Sequence, residues 1–198
     1  MGGEGSTNGS GGMGGMPTTG PGGMGGTITP AKCPTNFTGV APDVATFYPT
    51  ANGSCYALIK PYAKRSWDTA KALCEQNNMH LAIINSKAEQ EFVHTSIVES
   101  GGSPEAWIAA KQEELNGTWS WIVGNNKYDW PVKQSKDQCT TIGTDPACYW
   151  ANAEPNESPS DDNPVCVRIK PDGLFWNYYC SHECDFLCEL DAPNAPLP

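Results

Sequence analysis

The sequence predicts a single α+β domain rather than a protein built from alternating βαβ units. Two segments with helical periodicity come first, and a series of short strands rich in aromatic residues follows. A long segment with little predicted secondary structure, residues 124–163, interrupts the strands. The chain of 198 residues also contains 9 cysteines and 7 tryptophans, which indicates a disulfide-stapled domain in an oxidising compartment.

Residues 1–32 differ in composition from the predicted domain, residues 33–190. They are rich in Gly, Met and Pro and carry almost no charge, which is typical of a disordered tether. Residues 191–198 form a short Pro-rich tail. The sequence shows neither the pattern of a signal peptide nor an apolar stretch long enough to span a membrane. We expect an extracellular or cell-surface protein, with a signal or lipid-attachment segment ahead of Met1 as in bacterial surface lipoproteins.

The N-terminal half of the domain predicts two helices between short strands. One helix begins at the N-cap candidate Ser66 in SWDTAKALCEQNN. The other begins in SKAEQEFVHTSIVESGG, where Ser86 and Glu89 have the spacing of a capping box. The segments CYALI, LAII, AWIAA, TWSWI, VCVRI, LFWNYYC and DFLCEL predict the strands.

The stretch AEPNESPSDDNPVC, residues 153–166, concentrates carboxylate and amide oxygens around three prolines. Proline removes backbone donors and fixes φ, so this stretch predicts a loop rather than a helix or a central strand. The formal net charge of −10 argues against a nucleic acid or an anionic membrane as partner and favours cations. A hard cation such as Ca²⁺ prefers the oxygen ligands that this loop offers.

The order of motifs resembles that of the C-type lectin-like domains over residues 33–190. The matching pieces are Cys33-Pro34, Cys55-Tyr56, Trp67 with Ala70 and Cys74, LAIINSKAEQEFV, WIAA, WSW, Trp150, EPN, Cys166, Trp176-Asn177, Cys180 and FLCE. The resemblance implies a fold of two helices, small antiparallel sheets and a long ligand-bearing loop. It also implies a calcium-dependent carbohydrate-binding module rather than an enzyme.

The resemblance also implies the disulfide pairing, which spacing alone does not select. The implied bridges are Cys33–Cys55, Cys74–Cys188 and Cys166–Cys180, and a local bridge Cys139–Cys148 lies on the long loop. Cys184 is then left over, either unpaired or joined to a second chain.

In sugar-binding members of this family, the tripeptides EPN and WND supply oxygen ligands to one calcium ion. By position, Glu154 and Asn156 match the first tripeptide and Asn177 matches the asparagine of the second. Asp162, or Asp161 in its place, is expected to supply a further carboxylate. Calcium is therefore the implied cofactor, and these side chains are its implied ligands.

The same side chains are expected to bind the sugar. Glu154, Asn156 and Asn177 would contact vicinal hydroxyls, and Glu before Asn implies equatorial 3- and 4-hydroxyls, as in mannose, glucose, N-acetylglucosamine or fucose-type glycans. We expect a cis peptide bond between Glu154 and Pro155. Tyr178 replaces the aspartate of WND, and WNYYC is one residue shorter than the family pattern. Tyr178, Tyr179 and Trp150 are candidates for stacking on the sugar.

The sequence allows three alternatives to a lectin. A protein-binding or structural member of the same fold would not need calcium, and Tyr178 favours that alternative. A zinc site could involve Cys180, His182, Cys184 and Cys188, but in an oxidised chain we expect disulfides instead. A thiol hydrolase would need Cys184 as nucleophile and His182 as base, and the sequence offers no residue that would orient the base.

Overall fold

The structure is a computed structural model. It describes residues 33–41, 44–51, 53–60, 64–99, 102–103, 105–114, 118–130, 150–151, 153–160 and 163–193. The predicted tether, residues 1–32, and most of the predicted tail lie outside the described residues, so both stay predictions. Among the described helices, none is long and apolar enough to cross a membrane.

The described part of the chain has the predicted α+β architecture. Its helices are α1 (Trp67–Gln76) and α2 (Lys87–Phe92), and α2 continues as a π-helix over Val93–Glu99. The strands are β1 (Ala45–Pro49), β2 (Cys55–Ile59), β3 (His80–Leu81), β4 (Ala106–Gln112), β5 (Ser120–Val123), β6 (Asn126–Asp129), β7 (Val165–Ile169), β8 (Phe175–Tyr179) and β9 (Asp185–Leu190).

Three local predictions need correction. LAII was predicted to be a strand, but the strand is limited to His80–Leu81, and residues 82–84 are buried without being part of it. Strand β1 was not predicted, because its sequence ATFYP ends in proline. Strand β6 lies in the predicted long loop and pairs with β5, since Gly124 adopts a φ of 58° in the two-residue turn between them.

The strands form one connected sheet in which the path runs β1-β2-β9-β4-β5-β6. The pairs along this path are antiparallel except for the parallel pair β4 and β9. Strand β3 pairs with β9, and β7 pairs with both β4 and β8. The antiparallel pair β7–β8 therefore branches from the main path and carries the residues that follow the predicted ligand loop.

Two tryptophans connect α1 to β4 through their ring nitrogens. Trp67 Nε1 donates to the carbonyl of Ile108 at 2.8 Å, and Trp107 Nε1 donates to the carbonyl of Arg65 at 3.0 Å. Both indoles are buried, so each ring contributes apolar burial while its polar N–H is satisfied. The N-terminus of α1 is thereby fixed against the centre of the sheet.

A second aromatic cluster holds the beginning of the predicted ligand loop. The ring centroids of Trp119 and Trp150 are 5.0 Å apart, and those of Trp130 and Phe175 are 5.7 Å apart. Trp150 forms a parallel bridge with Phe175, and Ala151 N donates to the carbonyl of Phe175 at 3.0 Å. The chain therefore enters the ligand loop from a fixed point beside β8.

Three of the four predicted disulfides are confirmed: Cys33–Cys55, Cys74–Cys188 and Cys166–Cys180. The first ties the domain's N-terminus to β2, the second ties α1 to β9, and the third links β7 to the end of β8. Cys139 and Cys148 lie outside the described residues, so the fourth disulfide stays a prediction.

Cys184 is free, as one of the two predicted alternatives stated, and it is completely buried. Cys180 and Cys188 are in disulfides, as expected, so the alternative zinc set that contains them is excluded. Burial and the nearby charge of Glu105 raise the pKa of the Cys184 thiol. A thiolate is the reactive form, so this environment disfavours a nucleophile, and the covered sulfur gives no support to a bridge with a second chain.

The two predicted helix starts differ in how their serines are used. Ser86 caps α2, because its Oγ accepts from Glu89 N at 3.2 Å, while Glu89 Oε2 accepts from Asn85 N at 2.9 Å. Ser66 occupies the N-cap position of α1, but its side chain makes no capping bond and lies 3.0 Å from Thr69 Oγ1 instead. The capping box therefore forms at α2 only.

We predict that Ser86→Ala lowers the free energy of unfolding by about 0.5 to 2 kcal/mol, because Glu89 N loses its acceptor. Ser66→Ala serves as the matched control and should change that free energy by less than about 0.5 kcal/mol. Urea unfolding followed by circular dichroism measures both. Equal losses for the two variants would contradict this assignment of the caps.

Candidate functional site

The predicted ligand loop lies directly beside β8. Ala153 adopts a φ of 68°, and the Glu154–Pro155 peptide bond is cis, which confirms the expectation drawn from the resemblance. Glu154 is buried, whereas Asn156 is exposed. The two side chains that flank the proline therefore occupy different environments while remaining in direct contact.

Asn177 on β8 is the residue that holds the loop in place. Its Oδ1 accepts from Asn156 N at 3.0 Å and from Glu157 N at 3.4 Å. Its Nδ2 donates to the carbonyl of Glu157 at 2.8 Å. An amide oxygen has two lone pairs, so both are directed at backbone N–H groups in this arrangement. Asn177 thus positions the loop, and its oxygen is not free for a cation in this conformation.

Glu154 places a carboxylate at the centre of the site. Its Oε1 accepts from Asn156 Nδ2 at 2.8 Å and its Oε2 accepts from Asn177 N at 3.3 Å, while the residue is only 2% exposed. Burial raises the pKa of this carboxyl above its usual value, and the hydrogen bonds from Asn177 and Asn156 and the charge of Arg168 offset part of that effect. Among the described residues, no lysine or arginine forms an ion pair with it.

Asn156 leaves an amide oxygen available for a ligand. Its Nδ2 donates to Glu154, so its Oδ1 points away from that hydrogen bond, and the residue itself is exposed. One buried carboxylate next to one exposed amide oxygen is a donor set that suits a hard cation, which takes oxygen ligands from both types of group. The residues present therefore fit calcium, because Glu154 and Asn156 offer oxygens of the kinds that this ion takes.

The side chain of Tyr178 does not contact Glu154 or Asn156. Side chains alternate along a strand, so Tyr178 faces away from Asn177. Its ring lies 4.5 Å from the guanidinium carbon of Arg168 and 4.9 Å from the ring of His182. An aspartate at this position would point in the same direction. The Tyr178 ring therefore packs against Arg168 and His182, and its centroid also lies 5.6 Å from that of Tyr179.

Tyr179 is the tyrosine on the side of the ligand loop. A hydrogen bond with the Glu157 side chain, together with the charge of that carboxylate, raises the pKa of its phenol. Two-residue alternation from Asn177 is the signal in the sequence that distinguishes Tyr179 from Tyr178. Trp150, the other stacking candidate, is only 3% exposed within the aromatic cluster and is not available to a sugar.

Asp161 and Asp162 lie outside the described residues, so their predicted role as calcium ligands stays a prediction. The residues on either side of them, Ser160 and Asn163, exchange backbone hydrogen bonds of 3.2 and 3.0 Å. The described site thus consists of Glu154, Asn156 and the positioning residue Asn177.

We predict that Asn177→Ala destabilises the calcium-free domain by about 1 to 3 kcal/mol, because it leaves loop N–H groups without an acceptor. Ser158→Ala, at an exposed position of the same loop, is the matched control and should cost less than about 0.5 kcal/mol. Urea unfolding in the presence of a chelator measures both. Equal stability of the two variants would contradict the positioning role of Asn177.

Comparison with known proteins identifies the family to which the chain belongs. The profile described as "Lectin C-type domain" matches residues 63–190. The hepatic lectin of Gallus gallus is 28% identical over 142 residues, which is 72% of this chain and 57% of that protein. Asialoglycoprotein receptor 2 of Rattus norvegicus is 30% identical over 141 residues, which is 69% of this chain and 38% of the receptor. The chain therefore spans less than two thirds of the length of these relatives.

Solved structures show the same fold. The carbohydrate-recognition domain of the mouse scavenger receptor C-type lectin aligns with a TM-score of 0.52 at 22% identity, covering 79% of this chain and 100% of that one. The carbohydrate-recognition domain of cow CD23, determined in the presence of a GlcNAc2Man3 oligosaccharide, aligns with a TM-score of 0.53 at 20% identity, covering 78% of this chain and 98% of that one.

Proposed function

Because the chain belongs to the C-type lectin domain family, we propose that it is a calcium-dependent carbohydrate-binding domain of mannose-type specificity. The observation that carries this proposal is the buried Glu154 carboxylate. It lies in contact with the Asn156 amide and has no cationic side chain paired with it among the described residues. A buried carboxylate is costly unless a cation or hydrogen bonds compensate its charge, and a calcium ion at this position would supply that compensation.

Glu154 and Asn156 would be the direct ligands of the ion, and Asp162 or Asp161 would add a carboxylate. Bound calcium would supply a positive centre toward which the hydroxyls of a sugar direct their lone pairs. Asn177 would hold Asn156 and Glu157 in register through the backbone hydrogen bonds described above. This chain's residues bind and orient a ligand, and we propose a binding role rather than a catalytic one.

The proposed glycan is one with equatorial 3- and 4-hydroxyls, such as mannose, glucose, N-acetylglucosamine or fucose-type sugars. This preference is what the family resemblance implies for the order Glu154 then Asn156. In such a site the carboxylate would accept hydrogen bonds from sugar hydroxyls, and the amide would donate or accept them. Tyr179 lies on the side of β8 that faces the ligand loop, and its ring would stack on the sugar. Affinity for one sugar residue should be weak, because few apolar contacts accompany a small polar ligand.

A second function, calcium-independent protein binding, is favoured by one observation. Both lone pairs of Asn177 Oδ1 are directed at backbone N–H groups, and Tyr178 faces away, so the described residues supply fewer ligands than the family pattern. Such a site could hold its shape without an ion. The two functions differ in their response to calcium.

We also propose an extracellular or cell-surface location. The three disulfides in the described part of the chain form in oxidising compartments and are rare in the cytosol. Attachment through a lipid-bearing segment is part of this proposal and rests on the Gly-rich composition of residues 1–32 alone.

We predict that ~10 mM calcium raises the melting temperature of the domain by about 3 to 10 °C. The expected dissociation constant of about 10⁻⁴ to 10⁻³ M corresponds to about 1.4 to 2.7 kcal/mol of stabilisation at that concentration. Glu154→Gln should remove most of the shift. Glu75→Gln, which neutralises an exposed carboxylate on α1, is the matched control and should retain it. The absence of any shift in the unaltered domain would leave the calcium-independent alternative.

We predict that retention on immobilised mannose requires calcium and is reversed by a chelator, whereas retention on immobilised galactose is much weaker. Asn156→Ala should weaken mannose binding by about 10- to 100-fold, because it removes a hydrogen bond to a sugar bound at a charged centre. Glu75→Gln again serves as the control. Mannose binding that persists in excess chelator would contradict the proposal, and tighter binding to galactose would contradict its specificity.

A further inference from the structure

A cavity of about 610 Å³ lies away from the ligand loop. Its walls come from the turn between β1 and β2, from the start of α2 and from the residues that end β9, and they include Tyr56, Ile83, Glu89, Phe92, Glu189 and Asp191. None of the described residues of the loop or of β8 lines it. The cavity is therefore separate from the proposed sugar site.

Three potential metal ligands form a cluster beside this cavity, and two of them, Glu189 and Asp191, line it. His80 on β3, Glu189 on β9 and Asp191 just after β9 each offer a ligand atom, and these atoms all lie within 4.8 Å of one another. His80 is 8% exposed and Glu189 is 5% exposed, so two of the three are held inside the protein. Strand β3 pairs with β9 at His80 and Glu189, and this register brings the two side chains together.

The imidazole of His80 has the orientation found in metal-binding histidines. Its Nδ1 lies 2.8 Å from the carbonyl of Leu81, an arrangement in which Nδ1–H donates, and its Nε2 lies 3.0 Å from Asp191 Oδ2. A backbone carbonyl on the far nitrogen fixes the ring and directs the lone pair of Nε2 toward the cluster. Without a metal, a proton on Nε2 makes the contact with Asp191, so a bound metal ion would displace that proton.

Glu189 is fixed by neighbours outside the cluster. Its Oε2 accepts from Ile83 N at 3.1 Å, and its Oε1 lies 3.1 Å from the Tyr56 hydroxyl, whose single proton is shared with the closer Glu89 Oε1. Each carboxylate oxygen has two lone pairs, so one on each remains for a cation. The cluster therefore combines a fixed nitrogen donor with two carboxyl groups.

We propose that His80 Nε2, Glu189 and Asp191 bind a transition-metal dication of the zinc class. An imidazole nitrogen suits zinc, copper and nickel ions, whereas calcium and magnesium prefer oxygen ligands alone. Three protein ligands leave one position of a tetrahedral zinc ion open, here toward the cavity. This proposal does not depend on the proposed sugar-binding function. Bound metal would fasten the residues that follow β9 to strand β3.

The test is a zinc titration of the full chain by calorimetry in excess calcium, repeated with cobalt to record the visible absorption of a tetrahedral site. The informative variants are His80→Gln and Asp191→Asn. His182→Gln is the matched control, since His182 also contacts a carboxylate, with its Nε2 3.3 Å from Glu105 Oε1. His80, His94 and His182 are the 3 histidines of the chain, so this pair compares two of them directly.

We expect one zinc ion per chain and a dissociation constant that rises at least about 10-fold in both informative variants but not in the control. Zinc binding unchanged by either variant, displacement of zinc by the excess calcium, or no binding at all would overturn the proposal. Melting temperatures in the presence of a chelator show whether each variant is folded. Should His80→Gln fail to fold, Asp191→Asn decides the outcome, because Asp191 lies at the partly exposed edge of the cluster.

Discussion

The side chain of Asn177 is the constraint on which the candidate site depends. It donates one hydrogen bond to the ligand loop and accepts two from it, so the loop is bonded to strand β8 rather than merely packed against it. A buried amide that satisfies backbone groups on both of its atoms is a strong positioning element, because any displacement leaves polar groups unpaired in a region with little water. Asn177 also fixes the position of the Glu154 carboxylate, because the backbone N–H of Asn177 donates to it.

The rest of the fold explains why Asn177 is itself fixed. Strand β8 is paired along its length with β7, and the Cys166–Cys180 disulfide links the two strands near their ends. Strand β7 in turn pairs with β4, which crosses the centre of the sheet. Phe175 at the start of β8 is completely buried among the tryptophans that also hold Trp150. The site therefore sits on regular, disulfide-linked structure and not on a free loop.

The sequence predicted the fold class, both helices, three disulfides and the cis bond, because each of these has a strong local signal or a family motif behind it. The capping residues of α2, for example, have a spacing that few other structures explain. The sequence did not predict which tyrosine of WNYYC lies beside the ligand loop. The shorter segment between Asn177 and Cys180 made the positional match ambiguous, and only the strand register shows that Tyr178 packs on Arg168. The engagement of Asn177 Oδ1 with backbone N–H groups likewise arises from tertiary contacts that no motif contains.

The tryptophan cluster beside the ligand loop has an optical consequence. Indole rings with centroids 4.6 to 5.6 Å apart, such as Trp121 with Trp130 and Trp130 with Trp150, interact electronically. A rigid, chiral arrangement of this kind produces near-ultraviolet circular dichroism, which is lost when fixed side-chain packing is lost. Trp150 immediately precedes the loop and forms a β-bridge with Phe175. Its contribution to the near-ultraviolet spectrum therefore depends on the conformation of the chain where the loop leaves the core. The protein thus carries a built-in spectroscopic reporter, and the state of the loop can be followed without attaching a label.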